Sequence, residues 1–376
     1  AGATIGSNHN SRSNDNEIQA GRGFWPGLCT SLKHSSRFAS FVLLSKADYP
    51  AELDIPLPFS LINNNTSLNQ LEVMPAFWWM YNMYALARNS WKYQSRDNRV
   101  KKVQNIEFET FAPDTVEEII ISRRLLEIWT AKASLRNKNE SIKIKNDDDL
   151  INLGRKLLSG KEEEINGMVV LGENMENTKR NVLILKPYKA YHSYGDMLLY
   201  YAMKNLMTYM NSHPKATFSS MCKDLKNKRK HEWVNLGGQI MQKNDLDKLR
   251  SDIGSGVFNT WEDIHNRYDD LWAKYAVDKQ KHAFATLCEI YGTENLTIIE
   301  WESALDKGVT FQEYVCDQVY VTRKKDYDNP FRQATYRNMD EMTAAIGTID
   351  ENSFILQVKQ ETEDFKLQVE EIKKRN

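Results

Sequence analysis

The chain has 376 residues, 27% of them charged, and a formal net charge of −1. That length exceeds one ordinary domain, and the balanced charge excludes a global electrostatic attraction to nucleic acid or to an anionic membrane. Four cysteines, Cys29, Cys222, Cys288 and Cys316, stand far apart with no paired spacing. This argues against a zinc site or a disulfide framework and fits a reducing compartment. No apolar run approaches the roughly 20 residues a spanning helix requires, and no signal-peptide pattern opens the chain. A soluble cytoplasmic protein with no membrane or nucleic-acid partner is the expectation.

Two grammars meet near residue 71. Up to there the chain is punctuated by Gly2, Gly6, Gly21, Gly23 and Gly27, then by Pro26, Pro50, Pro56 and Pro58, which permits strands only a few residues long. Residues 37–44 are the strongest strand candidate, and residues 3–8 carry the small-small-aliphatic-Gly rhythm of one hexapeptide rung. Rungs of that kind bury their apolar side only by stacking. Residues 1–71 are therefore read as the C-terminal end of a left-handed parallel β-helix. The chain opens on Ala1-Gly2-Ala3 without an initiator Met, so an excised portion of a longer protein is expected, with part of that first domain missing.

From Met74 the pattern is helical. Pro75 opens a helix through Leu86 that carries Trp78 and Trp79, proline being well placed in a first turn. Pro113 opens the next, with Thr115 and Glu118 spaced as a capping box. Residues 147–158 form a short helix stopped by Gly160. Two β-like runs, 168–171 and 182–185, read as a hairpin or an added sheet edge. Residues 196–211 are apolar on most faces, as a core helix is. Thr260 starts a long helix to about Tyr291, and the tail repeats helical spacing at Ile355, Val358, Thr362, Phe365, Val369 and Ile372. The expected class is α+β multidomain: the β-helix end over 1–71, a helical connector over 72–160, and a mainly α-helical domain over 161–376 with a hairpin near 168–186.

Four polar clusters are candidates for chemistry. In residues 6–15, His9 is placed to act as a base for a sugar hydroxyl or amine, with Asn8, Asn10 and Arg12 to hold the substrate. The alternative is an Asn/Ser turn ladder. Lys33 and His34 form a second cluster suited to phosphate or carboxylate, against a solvated turn as the plain reading. Residues 188–196 precede the core helix, and Tyr191 with His192 resemble a sugar or nucleotide lip; a packed loop explains them equally. The basic run 226–231 reads as a solvated helix end whose cations complement the dipole. Gly237-Gly238 and Gly254-Ser255-Gly256 lack the fingerprint of a phosphate loop.

The strings Asn8-His9-Asn10-Ser11-Arg12, Gly21-Arg22-Gly23-Phe24-Trp25-Pro26, Ile55-Pro56-Leu57-Pro58-Phe59 and Met74-Pro75-Ala76-Phe77-Trp78-Trp79 carry a resemblance. The stretch from Asn8 through Trp129 resembles an uncharacterised Bacteroidetes family, a domain of unknown function attached to trimeric hexapeptide-repeat, acyltransferase-like β-helices. That resemblance implies a trimer, a histidine base in a cleft between subunits (His9 or His34), and acyl-CoA or a nucleotide-sugar as cofactor or donor. The implied function is a transferase acting on a sugar or sugar nucleotide by acyl or nucleotidyl transfer. The rival is a non-catalytic oligomerisation or interaction module whose tail helix docks other chains, with any active site in the missing N-terminal part.

Overall fold

The computed structural model describes residues 4–6, 17–138 and 146–375. The described residues pack as two compact units, each assembled from two stretches of chain. One takes Ala1–Met80 and Thr115–Gly195, the other Tyr81–Asp114 and Asp196–Asn376.

Among the described residues, the first unit holds ten strands of two to five residues before the first helix, and one more at Val182–Ile184. Three parallel ladders recur. Thr4–Gly6 pairs with Ser31–Lys33 and then Asp48–Tyr49; Gln19–Ala20 pairs with Arg37–Phe38 and then Asp54–Ile55; Trp25–Pro26 pairs with Leu43–Leu44 and then Leu61–Asn65. The third ladder widens into a five-stranded mixed sheet. Leu61–Asn65 pairs antiparallel with Gln70–Met74, whose far edge is closed by a parallel strand from much later in the chain, Val182–Ile184. Residues 168–171 contribute only an isolated antiparallel bridge, Leu171 to Leu183.

This architecture corrects the expectation of a left-handed β-helix of hexapeptide repeats. The fold is mixed α/β, with several small sheets and many helices; its strands are few and short, and its largest sheet mixes parallel and antiparallel pairs. The physical reason lies in the turns. Cys29, Ser35, Phe41 and Phe59 all take positive φ, so each strand ends within a few residues. At Gly23 (φ 68) a side chain would overlap the Phe41 ring, so only glycine lets the chain pass there. Phe41 in turn stacks on Phe59 with centroids 5.0 Å apart. Val42, Leu44, Ile55, Leu57, Ile62, Leu71 and Val73 are fully buried.

Against these sheets lie the early turns of Pro113–Lys138, where Glu118 accepts a hydrogen bond from the Ser40 N–H at 3.0 Å. The Asp147–Leu158 helix is capped by Asn146, which accepts from the Asp149 N–H. Its Gly154 meets the backbone of Glu127 directly.

The second unit is mainly helical, with an antiparallel pair, Trp233–Leu236 and Gln239–Gln242. The single helix read from Pro75 is split into Phe77–Tyr81 and Met83–Arg96 around Asn82, whose ψ of 40° interrupts the helical path. Pro187–Ser212 begins earlier than the core helix read over 196–211, because Pro187 suits a first helical turn. Thr260 caps Trp261–Tyr291 through a capping box with Asp263, and Gly292 (φ 66) terminates it in the left-handed conformation. The tail helix, Ser353–Lys373, buries Phe354, Ile355, Val358, Thr362, Phe365, Val369 and Ile372, packed along Ile298–Asp328. The apolar stripe assigned to docking other chains is thus covered within the chain. Across this core runs a polar chain: the Tyr200 hydroxyl donates to Gln312 at 3.0 Å, and the Gln312 amide donates to Thr362 at 3.1 Å. Among the described residues, no helix is long and apolar enough to cross a membrane.

Candidate functional site

Residues 8–12, and with them His9, Asn8, Asn10 and Arg12, lie outside the described residues. Lys33 and His34 sit at the end of Ser31–Lys33 and in the turn beyond. Lys33 pairs with Glu52 at 2.6 Å, and Asn177 donates to the same carboxylate at 2.9 Å. Hydrogen bonding from Lys33, then from Asn177, holds Glu52 down at about 2. His34 is buried, with Nδ1 3.1 Å from the Ser35 hydroxyl.

Tyr191 and His192 stand inside the Pro187–Ser212 helix and point to different surroundings. Tyr191 is buried; its hydroxyl donates to Glu127 at 2.8 Å while Arg123 lies over its ring at 4.3 Å. Arg155 donates from Nε to the same Glu127 at 3.0 Å. Burial of the ring raises the Tyr191 phenol above its usual range. His192 is exposed, with Nε2 2.9 Å from the Leu158 carbonyl. Of the predicted residues, Lys33 and His34 are brought together by chain neighbourhood, and Tyr191 and His192 by one helix.

The helical unit contains two constellations. One is a buried network around Glu107, which accepts from the Tyr275 hydroxyl at 2.6 Å and from Lys279 at 2.8 Å. Tyr201 shares a 3.0 Å hydrogen bond with Nδ1 of His282, and Trp233 meets the edges of both His282 and Tyr275. Burial, then the Glu107 charge, drives the Tyr275 phenol well above its ordinary value. Every charge here has a counter-charge, as buried ions require, and the network fastens the connecting segment that carries Glu107 to Trp261–Tyr291.

The second is a cavity of about 640 Å³ where the chain leaving Phe218–Leu225 passes the end of Trp261–Tyr291. Lys226, Lys228 and Arg229 form one wall, Phe284, Ala285 and Cys288 the floor, and Glu289, Thr293 and Glu294 the rim. Lys226 donates to the Asn295 side chain at 2.5 Å, and Arg229 pairs with Glu289 at 2.8 Å. The Arg229 side chain is only 8% exposed although Glu289 is 48% exposed. Beside the floor, burial and then the neighbouring Cys288 push the Cys222 thiol up to about 11.

The local sequence explains the geometry. Helix Phe218–Leu225 ends at Lys226, so the next cations ride on irregular chain, where Lys228 stays exposed and the Arg229 side chain is tucked in. Phe284, Ala285 and Cys288 share one helical face by i, i+1, i+4 spacing. The left-handed Gly292 turns the chain so that Thr293 and Glu294 complete the rim. Sequence reading treated 226–231 as solvated and missed Phe284, Cys288 and Glu289, whose partners lie some sixty residues away along the chain. The one available signal was a basic run emerging from a capped helix.

The chain is 40% identical over 362 residues to an uncharacterized protein of Treponema pallidum (strain Nichols), a match covering 96% of this chain and 48% of that protein. The chain therefore spans about half the length of the curated relative it matches. No family model and no solved structure matches it. These findings correct the resemblance to a Bacteroidetes hexapeptide-repeat family: the match is to a Treponema protein, and no hexapeptide-repeat model matches the chain. The strings that carried it are largely packing and turn residues, such as buried Leu57 and Phe59, which many folds require.

Proposed function

We propose that the helical unit binds a phosphorylated polar small molecule, of the sugar-phosphate or nucleotide-sugar class, in the cavity between residues 226–229 and the end of Trp261–Tyr291. The observation that carries this reading is three cations, Lys226, Lys228 and Arg229, lining one cavity whose apolar side is Phe284, Ala285 and Cys288. Lys and Arg together suit phosphate, the guanidinium by its planar fork and the ammonium as a point charge. Asn227, Thr293 and Glu294 supply the polar rim that sugar hydroxyls need, and Phe284 supplies an apolar surface for a ring.

Calorimetric titration with UDP-glucose, glucose 6-phosphate and inorganic pyrophosphate tests the reading, with glucose and acetyl-CoA alongside. The phosphorylated probes bind, glucose does not, and affinity falls as salt is added. Lys226 and Lys228 are exposed, so the double charge reversal Lys226→Glu, Lys228→Glu folds normally and weakens binding by more than about tenfold. Absence of binding by every phosphorylated probe, or equal binding by the double variant, defeats the assignment.

A further inference from the structure

Resting on that reading, we infer that Glu289 is the cavity's own stand-in anion: its carboxylate occupies Arg229 until a ligand phosphate displaces it, and so sets the affinity of the site. The two members of the pair differ in setting. Arg229 is held in the wall with its side chain 8% exposed, whereas Glu289 approaches from the solvent side at 48% exposure. A guanidinium so shielded from water needs an anionic partner at all times. A half-exposed carboxylate, well hydrated when released, gives up its place at little cost.

Glu289 is also the rim residue with the reach. It follows Cys288 of the floor on the last turns of Trp261–Tyr291, and its Oε2 lies 2.8 Å from an Arg229 terminal nitrogen. A phosphate presents oxygens to the same guanidinium with more charge. Lys226 is steadied by Asn295, and with Lys228 at the mouth it completes the cradle for the displaced position. Glu294, the other rim carboxylate, adds to the local negative field and serves as the comparison.

The test is titration of inorganic pyrophosphate into the full chain and its variants at low salt, with thermal melting to confirm folding. Glu289→Gln tightens binding about fivefold, and Glu289→Asp, which keeps the charge but shortens the reach, tightens it about twofold. Glu294→Gln changes it by less than about twofold, while Arg229→Ala weakens it by at least about tenfold. Wild-type binding with no tightening in Glu289→Gln, or equal tightening in Glu294→Gln, overturns the stand-in role and leaves the phosphorylated-ligand reading intact. Failure of both wild type and Glu289→Gln to bind sinks the two together.

Discussion

Replacing Gly154 by alanine puts a methyl group where the backbone of Glu127 already lies. The added Cβ would sit 2.7 Å from the Glu127 Cα and closer still to its carbonyl carbon and oxygen. Carbon atoms rest about 3.5–4.0 Å apart, so Asp147–Leu158 must retreat by about 1 Å along its contact with Pro113–Lys138. Overpacking of this kind costs roughly 1–3 kcal/mol. The retreat also pulls Arg155 from Glu127, which is 3% exposed and bonded at 3.0 Å; since Arg155 is 54% exposed, that loss is held to about 1 kcal/mol. Alanine returns about 1 kcal/mol through helix propensity. The net destabilisation is roughly 1–3 kcal/mol, which lowers the melting temperature of a chain this long by roughly 1–4 °C. Scanning calorimetry of the full chain measures it, with Gly254→Ala as the control because nothing lies within 4 Å of a Cβ there. A melting temperature that holds or rises in Gly154→Ala refutes the close crossing.

Two further outcomes are expected. Gln312→Leu leaves the Tyr200 hydroxyl and Thr362 without their shared partner inside the three-helix core, and urea unfolding registers a loss of about 1–3 kcal/mol; an unchanged midpoint removes the polar chain from any structural role. Glu52 has its pKa depressed to about 2, so its contribution is present above its unfolded value of about 4.3 and fades as pH falls toward 2. Glu52→Gln therefore melts below wild type at pH 7, and the difference closes between about pH 4 and pH 2. A gap that persists at pH 2 assigns the effect to something other than ionisation.

Helix ends were the most legible part of this chain. Thr260 and Asp263 announce Trp261–Tyr291 by local hydrogen bonding alone, and the tail stripe from Ile355 to Ile372 is the buried stripe of Ser353–Lys373. Local chemistry is all those features need. Sheet membership was less legible, because Val182–Ile184 joins Gln70–Met74 across a long separation that no local pattern encodes. A single Ala-Thr-Ile-Gly rung supported too large an architecture: Thr4–Gly6 does pair with Ser31–Lys33, but the strands are short and the largest sheet of the unit is mixed. The cavity was hidden for a related reason. The spacing of Lys226, Lys228 and Arg229 is that of an ordinary surface run, and only the tertiary approach of Phe284 and Glu289 turns it into a recess.

The pairing of Gln70–Met74 with Val182–Ile184 also bears on biosynthesis. While the protein is being made, the ribosome releases Gln70–Met74 long before its edge partner exists. At about 5–20 residues per second the nascent chain waits on the order of ten seconds with that border uncovered. An open strand border of this kind recruits other strands, so the nascent chain has a defined interval and a defined segment at risk of mispairing.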